Sequence, residues 1–589
     1  MVKKLICVIL GVILCGSVFA GCALIEHNDE KDARQIVAAI DPIEDESVEG
    51  KPYKSEKRVI YKSELISAMN QYASTYMQNY NLSLQETTER LLDEMITREL
   101  LLIEAERIRA QGLIDWTQKD KNDVMRSVYS SLDSQIASFK REILSERDES
   151  ATDGDANNSD SSSATYPVKP AETTEEDYTD YEFDGNGIVY ETNEDGTFKL
   201  DKDGEKIPKY KVWKPEEKDY PCLWGSESQQ SLDREAMRRL VSLLENAADA
   251  DIRATKADKA KFREAKKQID SAVNAKGWEG VYPLLGENYL VQYLLGKSAE
   301  QSVLIGKLQS YITDGVQVLP NEVTDAYNSQ LAYQIATYNN DASAYQTAVK
   351  DGSTTMLYYL DDSYFFVKHI LLPFSDEQTT KLAEFKADPR NADKDPKAFR
   401  ASLVNEIVVY PHVDGENDTA NPTDVNTVFA KIRNAMRNKS DKEAERLFDD
   451  FTYEYNTDSG AFGQGKAYAV KRGDDEGHSG YMEEFYDGAM ELAENYRQGD
   501  LLDHYVVTDY GVHIMYFSQN ITGGTERRLD DPLTPAGYTT VRKSLEDTIR
   551  TAKENNAFTV WQNERITYYQ ESRKVVHTYR KRYKSLYKE

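Results

Sequence analysis

Two short runs, Val367-Lys368-His369-Ile370-Leu371-Leu372 and Thr508-Asp509-Tyr510-Gly511-Val512-His513-Ile514-Met515, each set a histidine inside an apolar, β-branched stretch. Both have the composition of buried strands, with a turn or polar signal at one end. The chain has seven histidines in 589 residues, and these two stand where a strand ordinarily excludes a titratable ring. A histidine in a sheet core needs a hydrogen-bond partner, and a second such ring supplies one. A fold that brings the two runs together satisfies both rings at once.

The stretch between them is ordered in a particular way. Ser440 to Tyr455 has a helical pattern with Ala444, Leu447, Phe448 and Phe451 on one stripe. It leads into Asn456-Thr457-Asp458-Ser459 and then Gly460-Ala461-Phe462-Gly463. Met482-Glu483-Glu484-Phe485 follows, with Ala489 and Leu492 beyond it, and then Thr508 and His513. In this order the segments resemble the parvulin-type peptidyl-prolyl cis/trans isomerases: first strand, Ser-x-Asp/Cys-Ser turn, glycine-rich segment, pocket helix and last strand. The resemblance covers roughly Phe365 to Ser518. Three departures stand out: an acidic insertion from Asp376 to Asn421, a shortened glycine-rich segment, and a Met482-to-Phe485 spacing one residue below the family's. Either Tyr481 or Met482 is left to line the pocket.

The resemblance implies an FKBP-like α/β domain with His369, Asp458, Thr508 and His513 at the catalytic site. Phe462, Tyr481, Met482 and Phe485 would bind substrate, with no cofactor and no metal. Isomerisation of an Xaa-Pro bond breaks no covalent bond; its barrier of roughly 18–20 kcal/mol is lost amide resonance. A catalyst therefore needs an apolar proline pocket and a preorganised environment that favours the twisted amide. Asp458 would tune the field beside the substrate carbonyl rather than attack. The bland reading of the histidines is a pair of satisfied core rings in a domain that only binds chain.

The N-terminus adds a location. Met1-Val2-Lys3-Lys4 is a basic start and Leu5 to Phe19 an apolar stretch too short to span a bilayer comfortably. Ala20-Gly21-Cys22 resembles a bacterial lipoprotein processing box, with an ordinary secretory leader as the alternative. Residues 1–21 read as leader, Cys22 as a lipid-bearing N-terminus, and 22–55 as an acidic tether, placing the chain extracytoplasmic and lipid-anchored to the bacterial cell membrane. Two acyl chains hold durably where one is marginal. Of four cysteines, Cys7 and Cys15 leave with the leader and Cys222 remains alone, so the mature chain forms no internal disulfide and no thiolate metal site.

The formal net charge of −30 argues against nucleic acid or anionic lipid as the main partner. The C-terminal cluster of Arg573, Lys574, Arg580, Lys581, Arg582, Lys584 and Lys588 is the exception. It reads either as a solvated helix face or as a contact for anionic headgroups or cell wall.

Length allows roughly three or four domains. Tyr61 to Tyr80 and Ser83 to Ile108 are helical patterns, the second opened by a Ser83/Glu86 capping box. Leu91-Leu92-Asp93-Glu94-Met95-Ile96-Thr97-Arg98-Glu99-Leu100-Leu101 resembles the helical chaperone region of PrsA- and SurA-type foldases. The expected fold is therefore α+β, a parvulin-like isomerase domain inserted in or following an all-α chaperone domain. The expected order after the tether is chaperone helices at 56–148, a disordered acidic segment with a small β insertion at 149–229, and more chaperone helices at 230–355. The isomerase domain at 356–522 and two C-terminal helices within 523–589 complete it. The implied partners are unfolded or newly secreted polypeptides with Xaa-Pro bonds and the membrane through the anchor; nucleic acid is not expected, and a homodimer is left open. The Asp/Asn-rich loops at Asp184 to Gly187 and Asp414 to Asp418 lack the glycine and glutamate of a calcium loop. No nucleophile elbow, zincin helix, Walker loop or dinucleotide fingerprint is present. The rival from another class is a non-catalytic holdase with a degenerate parvulin domain. A solute-binding lipoprotein is disfavoured because no alternating βα pattern appears.

Overall fold

The computed structural model describes residues 30–45, 53–150, 188–190, 199, 208–211, 227–276, 278–352, 355–391, 393–413, 416–418, 421–463 and 466–587. The leader, Cys22, the Ser/Asp/Thr-rich run beyond residue 150, the two hairpin turns before residue 208 and Cys222 lie outside the described residues. The fold is mixed α+β. The chain forms two compact units, one from Met1–Ala156, Thr174–Val316 and Lys553–Glu589, the other essentially Gln317–Ala552.

In the first unit, β1 (Ile36–Ile40) pairs antiparallel with β2 (Arg58–Tyr61). Helices α1 (Lys62–Tyr80) and α2 (Leu84–Ala110) follow. Ser83 and Glu86 cap α2 reciprocally, the Ser83 amide donating to Glu86 Oε2 at 2.9 Å. Leu91, Leu92, Ile96, Leu100 and Ile103 of α2 pack with Leu65 and Met69 of α1 and with Val37, Ala38 and Ile40 of β1. The acidic run expected to be a tether contains a core strand: Ile36-Val37-Ala38-Ala39-Ile40, its β-branched and small apolar residues outweighing acidic flanks. Helices α3 (Gln118–Ser150), α4 (Glu227–Ala250) and α5 (Lys256–Lys276) build a second core around Leu132, Leu240, Leu244 and Phe262. Strands β3 (Ile188–Tyr190) and β4 (Pro208–Lys211) pair antiparallel within the expected β insertion. Helix α6 (Lys297–Thr313) closes this part.

The second unit begins with α7 (Pro320–Asn340) and α8 (Ala342–Asp351). The boundary therefore falls at Val316/Gln317 rather than near residue 355, because Val323 is buried with Leu357 of the second unit. Strand β5 (Tyr364–Pro373) leads to the insertion, which is helical: α9 (Asp376–Ala387) and α10 (Pro396–Leu403). Then come α11 (Val425–Met436), α12 (Asp441–Tyr455), β6 (Tyr468–Lys471), α13 (Glu483–Asn495), β7 (Val506–Thr508) and β8 (Gly511–Asn520). The sheet is antiparallel throughout, in the order β6-β5-β8-β7.

Alternation along the two central strands divides the core. Ile370, Leu372, Val512, Ile514 and Tyr516 pack with α11, α12 and the insertion's Leu382, Leu403 and Val404. Phe365, Val367, Met515 and Phe517 pack with Phe485, Ala489 and Leu492 of α13.

The C-terminal part holds a long helix, a strand and a short helix, Arg580–Tyr583. Val541 and Leu545 of α14 (Val541–Thr567) are buried with Val323 and Leu357 in the second unit. Phe558, on the same helix, is buried with Leu101, Leu304 and Leu308 in the first. Glu104 of α2, almost fully buried, receives Arg107 Nη2 at 2.7 Å and Arg565 Nε at 3.1 Å, together with the Tyr569 hydroxyl. Strand β9 (Val576–Thr578) then adds to β1.

Candidate functional site

The two histidines come together because β5 and β8 are neighbours. Met515 lies opposite His369 and His513 opposite Leu371, so the rings are diagonal neighbours on the α13 face. His513 Nδ1 is 3.0 Å from His369 Nδ1, and His513 Nε2 is 2.8 Å from Thr508 Oγ1. His369 Nε2 lies 2.9 Å from Asp458 Oδ2, which also accepts the Tyr468 hydroxyl at 2.6 Å. Five side chains, one from each of the four strands and one from a turn, form a single hydrogen-bonded line.

The turn carrying Asp458 is built by Asn456, which is fully buried. Its Oδ1 accepts the amides of Leu371 (2.9 Å) and Asp458 (3.2 Å), and its Nδ2 donates to the Asp458 carbonyl (2.7 Å). Gly460 donates its amide to Asp458 Oδ1 at 2.8 Å, and a Cβ there would sit 2.6 Å from the Tyr468 hydroxyl oxygen. Only a glycine lets the turn and Tyr468 approach this closely. At the other end, Thr508 Oγ1 accepts the Tyr510 amide at 3.1 Å.

Hydrogen bonds from His369 first, then from Tyr468 and the Gly460 amide, hold the Asp458 carboxyl well below the usual carboxylate range, against its partial burial. Burial, and secondarily the neighbouring His369, holds His513 well below the ordinary imidazole value. Burial followed by Asp458 pushes the Tyr468 phenol up, and burial pushes Tyr481 up to about 12. An ionised Asp458 only accepts, so His369 donates from Nε2 and, while neutral, accepts at Nδ1. His513 then donates from Nδ1 and accepts the Thr508 hydroxyl at Nε2. Each neutral ring is held in one tautomer, and a proton added at His369 has to reverse the His513–Thr508 end.

Aromatic rings cover this line. Phe485 meets His369 edge-on at 5.0 Å and His513 at 5.4 Å, Tyr468 meets His369 at 5.0 Å, and Tyr481 lies 5.2 Å from Phe485. Tyr481 donates its hydroxyl to the Ala469 carbonyl at 3.1 Å. Met482, half-buried at the start of α13, packs in the same cluster, so both residues left open by the spacing take part. Phe462 packs its ring against Tyr453 of α12 at 5.7 Å. Tyr468, Asn456 and Gly460 were not singled out as a unit in the sequence; an aromatic on the strand following a glycine-rich turn is the signal that points to Tyr468.

Arg400, from α10 of the insertion, is a further unforeseen contributor. Its side chain is almost fully buried and bonds Asp509 Oδ1 at 2.5 Å and the Glu484 carboxylate. Asp509 follows Thr508, and Glu484 precedes Phe485, so one guanidinium ties the two segments that carry those residues. Among the described residues, Glu491, Asp503 and His504 are the one group whose ligand atoms converge within 4.8 Å. His504 is exposed and pairs with Asp503 at 2.9 Å, an arrangement that needs no ion.

Comparison with protein-family models, with curated proteins and with solved structures returns no match to this chain.

Proposed function

We propose that the chain is a lipid-anchored, extracytoplasmic peptidyl-prolyl cis/trans isomerase of parvulin type joined to a helical chaperone unit, acting on newly secreted polypeptides. One observation carries the reading: the Thr508–His513–His369–Asp458–Tyr468 line runs directly beneath Phe485 and Tyr481. Its chemistry suits a reaction without bond breakage. The two histidines fix each other and stiffen the floor, Phe485 offers an apolar face to a proline ring, and the carboxylate of Asp458, 28% exposed, sets the local field without acting as a nucleophile. The apolar side chains of the 376–421 insertion pack in the core on the other face of the sheet, which favours a site left accessible. The FKBP-like topology and the PrsA/SurA-like chaperone role belong to the same proposal. So does the anchor at Cys22; among the described residues no helix is long and apolar enough to cross a membrane.

The decisive experiment measures cis/trans exchange of Xaa-Pro peptides with the full mature chain. Acceleration over the uncatalysed rate of tens of seconds or more is expected. Absence of acceleration with every peptide tested, alongside suppression of client aggregation, would transfer the reading to a non-catalytic holdase. Intact-mass analysis of the membrane fraction checks the anchor: residues 1–21 absent and Cys22 diacylated, against an unmodified N-terminus if the leader is an ordinary one.

A further inference from the structure

The C-terminal segment is not a free basic tail. Strand β9 pairs with β1 through Ala38/Thr578, Ala39/His577 and Ile40/Val576. The Tyr579 amide donates to the Val37 carbonyl at 2.8 Å, and Arg582 Nη1 to the Ile36 carbonyl at 2.7 Å. The buried ammonium of Lys62 bonds both Asp32 (2.5 Å) and Ser585 (2.9 Å), so two segments far apart in sequence share one cation. On this platform Arg573, Lys574, Arg580, Lys581, Arg582 and Lys584 are all exposed.

Distance along the chain then matters. From Cys22 to Asp32 is ten residues, which fully extended reach at most about 35 Å. A tether running to residue 55 would have allowed roughly three times as much. Anchoring at Cys22 therefore confines the basic platform to the neighbourhood of the bilayer surface.

We infer that this platform is a docking surface for anionic lipid headgroups beside the Cys22 anchor. The chain's overall charge of −30 does not oppose it, because exposed charges act only within roughly 8–10 Å at physiological ionic strength. Local acids are partly committed: Glu89 pairs with Arg580 at 2.6 Å, and Asp41 with His577 at 2.8 Å. Lys574, Lys581 and Lys584 project from the segment without being needed for the β1–β9 pairing. Basic clusters beside a lipid anchor add a second, electrostatic hold on the membrane, and here that hold would also fix which side of the first unit faces the bilayer.

The inference rests on the anchored reading, but its test does not need the acyl group. The full mature chain carrying Cys22→Ser is mixed with phosphatidylglycerol/phosphatidylcholine vesicles and, separately, with phosphatidylcholine vesicles, and co-sedimentation is measured. Binding to the anionic vesicles alone, abolished at about 0.5 M salt, is expected. The triple variant Lys574→Gln/Lys581→Gln/Lys584→Gln should lower that partitioning on the order of 100-fold with an unchanged thermal midpoint. Equal binding to neutral vesicles, indifference to the triple exchange, or binding to a poly(glycerol phosphate) wall polymer but not to vesicles would overturn it. Because the probe lacks the lipid and no prolyl bond is assayed, failure here is distinguishable from failure of the anchor or of the isomerase reading.

Discussion

Adjacent residues on β5 lead to opposite designs. Lys368 points toward α12, where its ammonium, 3% exposed, meets Glu445 at 2.9 Å and Asp449 at 2.6 Å. Ser518 (2.6 Å) and the Ala536 amide complete Glu445, and Tyr538 (3.0 Å) completes Asp449. This is a sealed cluster of fixed charge, filled with direct partners from β8, α12 and the 536–538 segment. His369, one residue later, points toward α13 into a line that runs through a partly exposed carboxylate to Tyr468. One face uses charge to lock segments together; the other uses rings that need carry no charge and leaves its carboxylate partly exposed. A site needs the second arrangement, and the first gives it something rigid to stand on.

The largest expected effect falls on the sealed face. Lys368→Met leaves two buried carboxylates without their cation, and removing one partner of a buried ion pair destabilises by about 3–5 kcal/mol. Urea unfolding should show that loss, while exchange activity per folded molecule stays near the parent's. A loss of activity with stability retained would mean the two faces are not divided as described.

Phe485→Ala attacks the other face. A large-to-small change at a buried aromatic removes roughly 3–5 kcal/mol of stability, and Phe485 is buried. Unlike Lys368→Met, it should abolish acceleration of Xaa-Pro exchange even under conditions where circular dichroism shows a fully folded chain. Retained activity would remove Phe485 from the pocket.

Acid separates the faces by sign. Folded His513 stays neutral where the unfolded imidazole, at about 6.5, takes up a proton. The unfolded state then binds more protons, and stability falls as the pH drops below about 6.5. Buried His412, lowered to about 4 by desolvation, acts in the same direction. Each contributes at most about 1.4 kcal/mol per pH unit. Asp449 acts oppositely: burial outweighs the pull of Lys368 and raises its carboxyl, so between its raised value and the unfolded carboxyl's, near 3.9, acid favours the folded state. Denaturant midpoints in a His412→Gln background should therefore fall from pH 7 to pH 5. A flat profile between pH 7 and 5 would mean His513 is not held neutral.

The smallest effect is expected from Tyr468→Phe, which deletes one hydrogen bond to Asp458 and should cost about 0.5–1.5 kcal/mol. Turnover should drop modestly, and less than with Phe485→Ala, because no proton is transferred. A drop as large as that of Phe485→Ala would give the hydroxyl a direct role on the substrate.

The pairing of His369 with His513 was legible because a ring in a buried strand has few ways to be satisfied, whereas Asp458 followed only from the resemblance of its turn to that of the parvulins. The partner face was not. Lys368 stands in the same run as His369, and a single lysine in an apolar strand gives no hint of Glu445 and Asp449, which sit on a helix read only for its apolar stripe. Arg400 was equally silent, since its partners Glu484 and Asp509 come from two distant segments. Strand β1 was hidden by acidic neighbours, and β9 by the basic residues around it: charge on the flanks dominated the reading where five central residues decided the structure.

The pairing of β1 with β9 has a consequence in time. A chain made from its N-terminus presents Ile36–Ile40 early, yet the strand that covers one edge of it, Val576–Thr578, follows only after the whole of Gln317–Ala552. The four-stranded sheet, contained within Gln317–Ala552, has all its strands in hand before then. A product cut short before Val576 would thus carry a finished four-stranded sheet while one edge of Ile36–Ile40 stays unpaired, an open template for pairing with another chain.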